Sequence, residues 1–131
     1  TAARAGTLDA RSVMSRNFEI VEYADLTEWC RTRPAEHEAR YAVVVRDGEI
    51  HGLAHEDRPW LLADHDPEQL VWTDFLLVPP RMRWSVLMRA LRSGSSEIVI
   101  VGHSLAIEDL KGVITAREIA RAARDNADLM E

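Results

Sequence analysis

Apolar positions along the chain fall into strand-like and helix-like spacings, and their order runs twice. Phe18-Glu-Ile-Val-Glu-Tyr23 reads as a short strand. Asp25-Leu-Thr-Glu28 follows as an Asp-x-x-Glu helix start, a variant of the capping box. Leu26, Trp29 and Cys30 then stand at i, i+3 and i+4, one apolar stripe of a helix. Pro34 limits that helix, because proline removes a hydrogen bond and clashes with the turn before it. Tyr41-Ala-Val-Val-Val45 is a continuous β-branched run and predicts a buried strand. Asp47-Gly48 is a hairpin turn, Ile50-His-Gly-Leu-Ala54 the returning strand, and Asp57-Arg-Pro-Trp-Leu-Leu62 a short helix with proline near its first turn.

After the polar linker over 63–69 the order recurs. Leu70 to Val78 reads as extended. Trp84, Leu87, Met88 and Leu91 form a helical stripe after Pro79-Pro80, with Gly94 as a C′ residue that ends it. Glu97-Ile-Val-Ile-Val101 predicts a second buried strand. A loop over 102–109 leads to the returning strand Leu110-Lys-Gly-Val-Ile-Thr115, and a helix runs from Ala116 to about Asp128. The chain is therefore β-α-β-β-α written twice, an α/β (α+β) fold built on an internal repeat. Ile50-His-Gly-Leu-Ala-His-Glu-Asp-Arg58 lies over Leu110-Lys-Gly-Val-Ile-Thr-Ala-Arg-Glu118, so Gly52 and Gly112 occupy one place in the two copies. The expected organisation is an arm or linker over 1–10, a first motif over 11–64 and a second over 65–131.

Composition narrows the function. A chain of 131 residues suits one domain, and 47% apolar with 29% charged residues is ordinary for a globular protein. The net charge of −6 argues against nucleic acid as a partner, since phosphate binding is driven by Lys and Arg. A single cysteine, Cys30, allows no internal disulfide and reads as a small buried hydrophobe. No apolar run approaches the roughly 20 residues that span a bilayer, and no signal peptide is visible. The opening Thr-Ala-Ala, without Met, suits a piece of a longer protein.

The stretch His51-Gly-Leu-Ala-His-Glu-Asp57 raises a metal question. On a strand, residues four apart point the same way but lie about 13 Å apart. Zinc holds imidazole nitrogen at about 2.0–2.1 Å, so its ligands must converge. His51 and His55 converge only if the strand breaks between them, and the simpler reading is a pair of exposed strand-end histidines. His65, between Asp64 and Asp66, could come back towards them, whereas His37 and His103 sit in loop-like contexts and give no ligand spacing. No Ser-His-Asp order, Gly-rich phosphate loop or paired-carboxylate site stands out.

Gly112-Val-Ile-Thr115 with Glu118 and Ile119, after the strand Glu97 to Val101, resembles the cystathionine-β-synthase (CBS) domain signature: glycine, two apolar residues, Thr or Ser, two spacers, Asp, apolar. The first half resembles it more weakly through Val13-Met14-Ser15, Tyr41 to Val45 and Gly52-Leu-Ala. The resemblance covers about residues 11–126 and implies a tandem CBS pair, or Bateman module, packed as a pseudo-twofold disc. It implies a noncatalytic regulator with no required cofactor. Many such modules bind AMP, ADP, ATP or S-adenosylmethionine, pair as homodimers, and serve a parent channel or transporter on its cytoplasmic face. A chloride-channel type of bacterial parent fits that habit.

The resemblance also places the site. Thr115 and Glu118, with Ile114 beside them, stand where the family's Thr hydroxyl and Asp carboxylate face the ligand and the ribose. Glu118 is one methylene longer than Asp. The opposite wall falls on Asn17 and Phe18 and on Glu38 and Ala39, with Arg16, Arg40, Arg117 and Arg121 available to offset Glu38. The first-half motif has His55 for Thr and Arg58 for Asp, a degenerate half-site that loses the ribose acceptor. A second reading stands beside this one: Thr115-x-x-Glu118 is also a capping box, which accounts for both residues without a ligand. Arg117, Arg121 and Arg124 form a stripe on the last helix, a solvated face or an interface. Trp29, Trp84, Leu87 and Leu91 read as core or dimer surface.

Overall fold

The computed structural model describes residues 8–32, 41–54, 67–94 and 96–125. In chain order these form helix α1 (Ala10–Val13), β1 (Phe18–Glu22), α2 (Leu26–Thr32), β2 (Tyr41–Arg46), β3 (Glu49–Ala54), β4 (Val71–Trp72), β5 (Phe75–Val78), α3 (Trp84–Ser93), β6 (Ile98–Gly102), β7 (Leu110–Ile114) and α4 (Ala116–Asp125). The chain folds as two compact units. One combines Thr1–Arg16, Asp74–Leu105 and Asp109–Glu131, and the other combines Asn17–Thr73 with Ala106–Glu108. The short helix expected from Asp57, together with Glu38, Ala39, His55 and Arg58, lies outside the described residues.

The second-motif unit shows the repeat in full. β5 runs parallel to β6, and α3 is the crossover that a parallel pair needs. β7 returns antiparallel to β6. Val99, Ile100, Val101, Val113 and Ile114 are all fully buried, so the unbroken apolar run of β6 reflects a strand without a solvent face. Trp84 and Leu87 on α3 and Ala122 on α4 close the core over Val78, Val99, Val101 and Ile114.

The segment expected as an arm is folded from Leu8 onward. Asp9 caps α1, its Oδ1 accepting from the Ser12 amide at 3.0 Å and the Ser12 hydroxyl at 2.8 Å. The amides of Ala10 and Arg11 donate to the carbonyls of Met82 and Pro80, and the amide of Trp84 to Leu8. Ser15 and Val113 exchange two backbone bonds, at 2.8 and 3.0 Å. Ala10 and Val13 enter the core beside Leu87. Leu8 and Met14 pack on the same core while half-buried, and so few apolar positions among small and polar residues are why its composition reads as a linker.

The first-motif unit repeats the plan. β1 is parallel to β2, β2 pairs antiparallel with β3, and β4 adds an antiparallel edge to β3. Asp47 and Gly48 have φ of 55° and 81°, the two positive values that a type I′ hairpin turn requires. Leu26 and Trp29 of α2 pack on Val21, Val44 and Leu70, and the Trp29 indole N–H donates to the Glu19 carboxylate.

The two copies agree down to a bulge. Val44 faces Gly52 and Val45 faces Ile50, leaving His51 as the extra residue of β3. Val101 faces Gly112 and Gly102 faces Leu110, leaving Lys111 as the extra residue of β7. The glycines have a steric reason. A methyl on Gly52 would overlap the Trp72 carbonyl oxygen and come within 2.9 Å of Val71 Cγ2, and one on Gly112 would meet Met14 Sδ at 2.6 Å and the Ser15 carbonyl oxygen at 2.8 Å.

Two expectations are corrected. Leu70 to Val78 is not one extended segment. A 3-10 turn over Pro67–Leu70 precedes β4, and β4 and β5 join different sheets, because the chain passes from one unit to the other between Thr73 and Asp74. Gly94 is not a left-handed C′ residue. It is the C-cap of α3 in extended conformation, φ −106°. Its amide donates to Ala90, and the Ser93 hydroxyl donates to the Arg89 carbonyl at 2.9 Å, so the last turn closes without a positive φ.

Candidate ligand site

β7 ends at Ile114, and Thr115 turns the chain from strand into α4. That turn leaves the first amides of α4 without intrahelical acceptors. The Thr115 hydroxyl oxygen accepts from the Arg117 amide at 3.3 Å. Glu118 folds back from the first turn, and its Oε1 accepts from the Thr115 amide at 2.7 Å and from the Thr115 hydroxyl at 2.8 Å. This is a capping box with one change from the expected form: Thr115 bonds the amide two residues on, not three. A carboxylate at a helix N-terminus is further favoured by the helix dipole.

Burial sharpens the picture. Glu118 is 2% exposed, whereas Thr115 is half-buried and Ala116 and Arg117 are exposed. An ionisable side chain this deep needs hydrogen-bond partners, and Thr115 supplies two of them. Ile114 is fully buried in the core of the same unit. Thr115, Glu118 and Ile114 thus come together at the β7–α4 turn. Asn17 and Phe18 lie in the other unit, at the start of β1, where the Asn17 carbonyl accepts from the Tyr41 amide at 3.1 Å.

His51 sits in a different setting from a metal ligand. Its Nε2 is 3.2 Å from Glu68 Oε1, and its ring meets Tyr23 edge-on with centroids 5.3 Å apart. Arg46 bonds the same Glu68 oxygen at 3.0 Å and lies 4.3 Å from the Tyr23 ring centroid. Among the described residues, no group of three or more His, Cys, Asp or Glu could hold a metal ion. Trp29, Trp84 and Leu87 are buried, so their role within each unit is core.

No family model matches the chain, and no curated protein matches it. Solved structures do. The CBS domain of a CBS-domain-containing membrane protein from Sphaerobacter thermophilus is similar with a TM-score of 0.68 at 14% identity, over 92% of this chain and 90% of that one. The CBS domain of the bacterial CNNM/CorC family Mg2+ transporter gives 0.64 at 20% identity, over 92% and 77%. The chain has the fold of a CBS-domain pair. The cytosolic domain of the Mg2+ channel MgtE, solved in complex with ATP, is similar to this chain with a TM-score of 0.57 at 15% identity, over 92% of this chain and half of that one. Among the described residues, no helix is long and apolar enough to cross a membrane.

Sequence reasoning missed one concave feature of the second-motif unit. A cavity of about 450 Å3 opens beside the start of β7, lined by basic side chains drawn from four stretches of the chain. The sequence marks Arg16 only as an offset to Glu38, and no local motif unites the others.

Proposed function

We propose that this CBS pair is a noncatalytic regulatory domain of a membrane channel or transporter, and that it senses an adenosine nucleotide at the Thr115–Glu118 turn. The observation that carries this reading is the fold. It is shared over about nine-tenths of the chain with domains of transport proteins, one of them solved with ATP. AMP, ADP, ATP and S-adenosylmethionine are the candidate ligands. A parent of the chloride-channel type belongs to this class of membrane protein. A carboxylate beside a hydroxyl offers acceptors for ribose donors. Regulation follows if the ligand binds two states of the domain unequally, since only differential affinity shifts an equilibrium. Pairing into a homodimer gives such states a surface through which to act on the parent.

A second reading has its own support. The Thr115 hydroxyl already donates to Glu118, and Glu118 is buried. The first-half motif has His55 and Arg58 at the equivalent places. On this reading neither motif binds a ligand and the module serves dimerisation. Glu118→Gln separates the two. The amide keeps an acceptor for the cap but loses the charge. The sensing reading expects nucleotide affinity to fall about tenfold, the worth of one charge-assisted hydrogen bond. Unchanged affinity would remove Glu118 from the ligand site.

A further inference from the structure

The bulge at Lys111 breaks the pairing of β7 and sets this side chain apart from the ladder. Around it the second-motif unit gathers Arg11 from α1, Arg16 beyond it, Arg81 from the turn after β5 and His103 from the turn after β6. All five line the cavity of about 450 Å3, whose remaining walls include Met14 and Leu110. No Asp or Glu lines it, in a chain where 22 acidic residues outnumber 16 Lys and Arg. The five basic side chains are exposed. Among the described residues, none of the five joins an ion pair. Four full cations repel one another unless an anion comes between them. A cleft lined by one sign of charge concentrates ions of the other sign.

We propose that this cavity binds a compact polyphosphate anion. Arg forms paired bonds to phosphate oxygens, and Lys serves as a point charge for the same group. The cations converge in a concavity of ligand size and are not spread over a flat face, which suits a small soluble anion. Lys111 is the second residue of β7 and Thr115 follows its end, about 13 Å apart along an extended strand. The pocket is therefore a second site, and it does not rest on the nucleotide reading.

The test is isothermal titration of the chain with inorganic tripolyphosphate, at constant ionic strength, with chloride as the competing salt. Tripolyphosphate has no ribose or base, so its binding does not depend on a nucleotide site. The expected result is saturable binding that weakens at least about tenfold in Arg81→Gln and in Lys111→Gln, and is retained in Glu118→Gln. Both substituted side chains are exposed, and unchanged melting temperatures without ligand would show that the variants fold. No saturable binding to the parent chain overturns the proposal. So does binding that both single variants and their combination leave unchanged.

Discussion

The sharpest structural prediction concerns Glu118→Ala. The substitution removes a buried carboxylate oxygen that accepts from the Thr115 amide at 2.7 Å and the Thr115 hydroxyl at 2.8 Å. Loss of a helix N-cap costs about 0.5–2 kcal/mol, and a hydrogen bond to a charged acceptor is worth about 1.5–3 kcal/mol. These contributions overlap, because both bonds end on one oxygen. Removing a buried charge also returns part of its desolvation cost. The expected net loss is about 2–3 kcal/mol. At this chain length that lowers the melting temperature by roughly 10 °C. Urea unfolding followed by circular dichroism reads the loss directly. Thr115→Ala costs about 1 kcal/mol, and the double variant costs less than the sum of the singles, because the residues share bonds. A Glu118→Ala loss under about 0.5 kcal/mol, or strict additivity with Thr115→Ala, would refute the cap as the reason for burying this carboxylate.

Other consequences can be measured the same way. Gly52→Ala forces a methyl onto the backbone of β4, where Trp72 cannot turn aside. It should cost about 3 kcal/mol, at the upper end for overpacking. Gly112→Ala meets the flexible end of Met14 as well as the Ser15 backbone, and should cost less than Gly52→Ala; the reverse order in urea midpoints would contradict the close approach at β4. Gly48→Ala meets no atom within 4 Å but must hold φ of 81°, so a loss of about 1–2 kcal/mol is expected from backbone strain alone. Arg46→Ala breaks a pair whose side chains are each 49% exposed, and should move stability by less than about 1 kcal/mol, with the change fading in high salt.

Much of the fold was legible because its signals are local. The valine runs of β2 and β6, the Asp47-Gly48 turn and the Thr115-x-x-Glu118 start each state their structure within a few residues. The duplication was legible in the alignment of Gly52 with Gly112, and the structure gives the cause: each glycine faces a valine just before a bulge, with another backbone pressed close. What stayed hidden is set by distance along the chain. Ala10 and Val13 announce no helix, yet their segment is held by carbonyls about 70 residues further on. The break between β4 and β5 depends on which sheet each strand joins, and an apolar run carries no record of that. The basic cavity is invisible for the same reason, since its residues share neither spacing nor motif. The cap at Thr115 was readable, whereas the depth of Glu118 was not: amphipathic spacing does not reveal that a carboxylate at a helix start points inward.

The central claim is that this chain, with the fold of a CBS pair, senses an adenosine nucleotide. Isothermal titration of the purified chain with AMP, ADP, ATP and S-adenosylmethionine in turn tests it most directly. The account predicts saturable binding of at least one of the four, with affinity reduced about tenfold in Glu118→Gln. Absence of binding by all four, with the chain folded, would contradict it and leave the dimerisation module as the reading that stands.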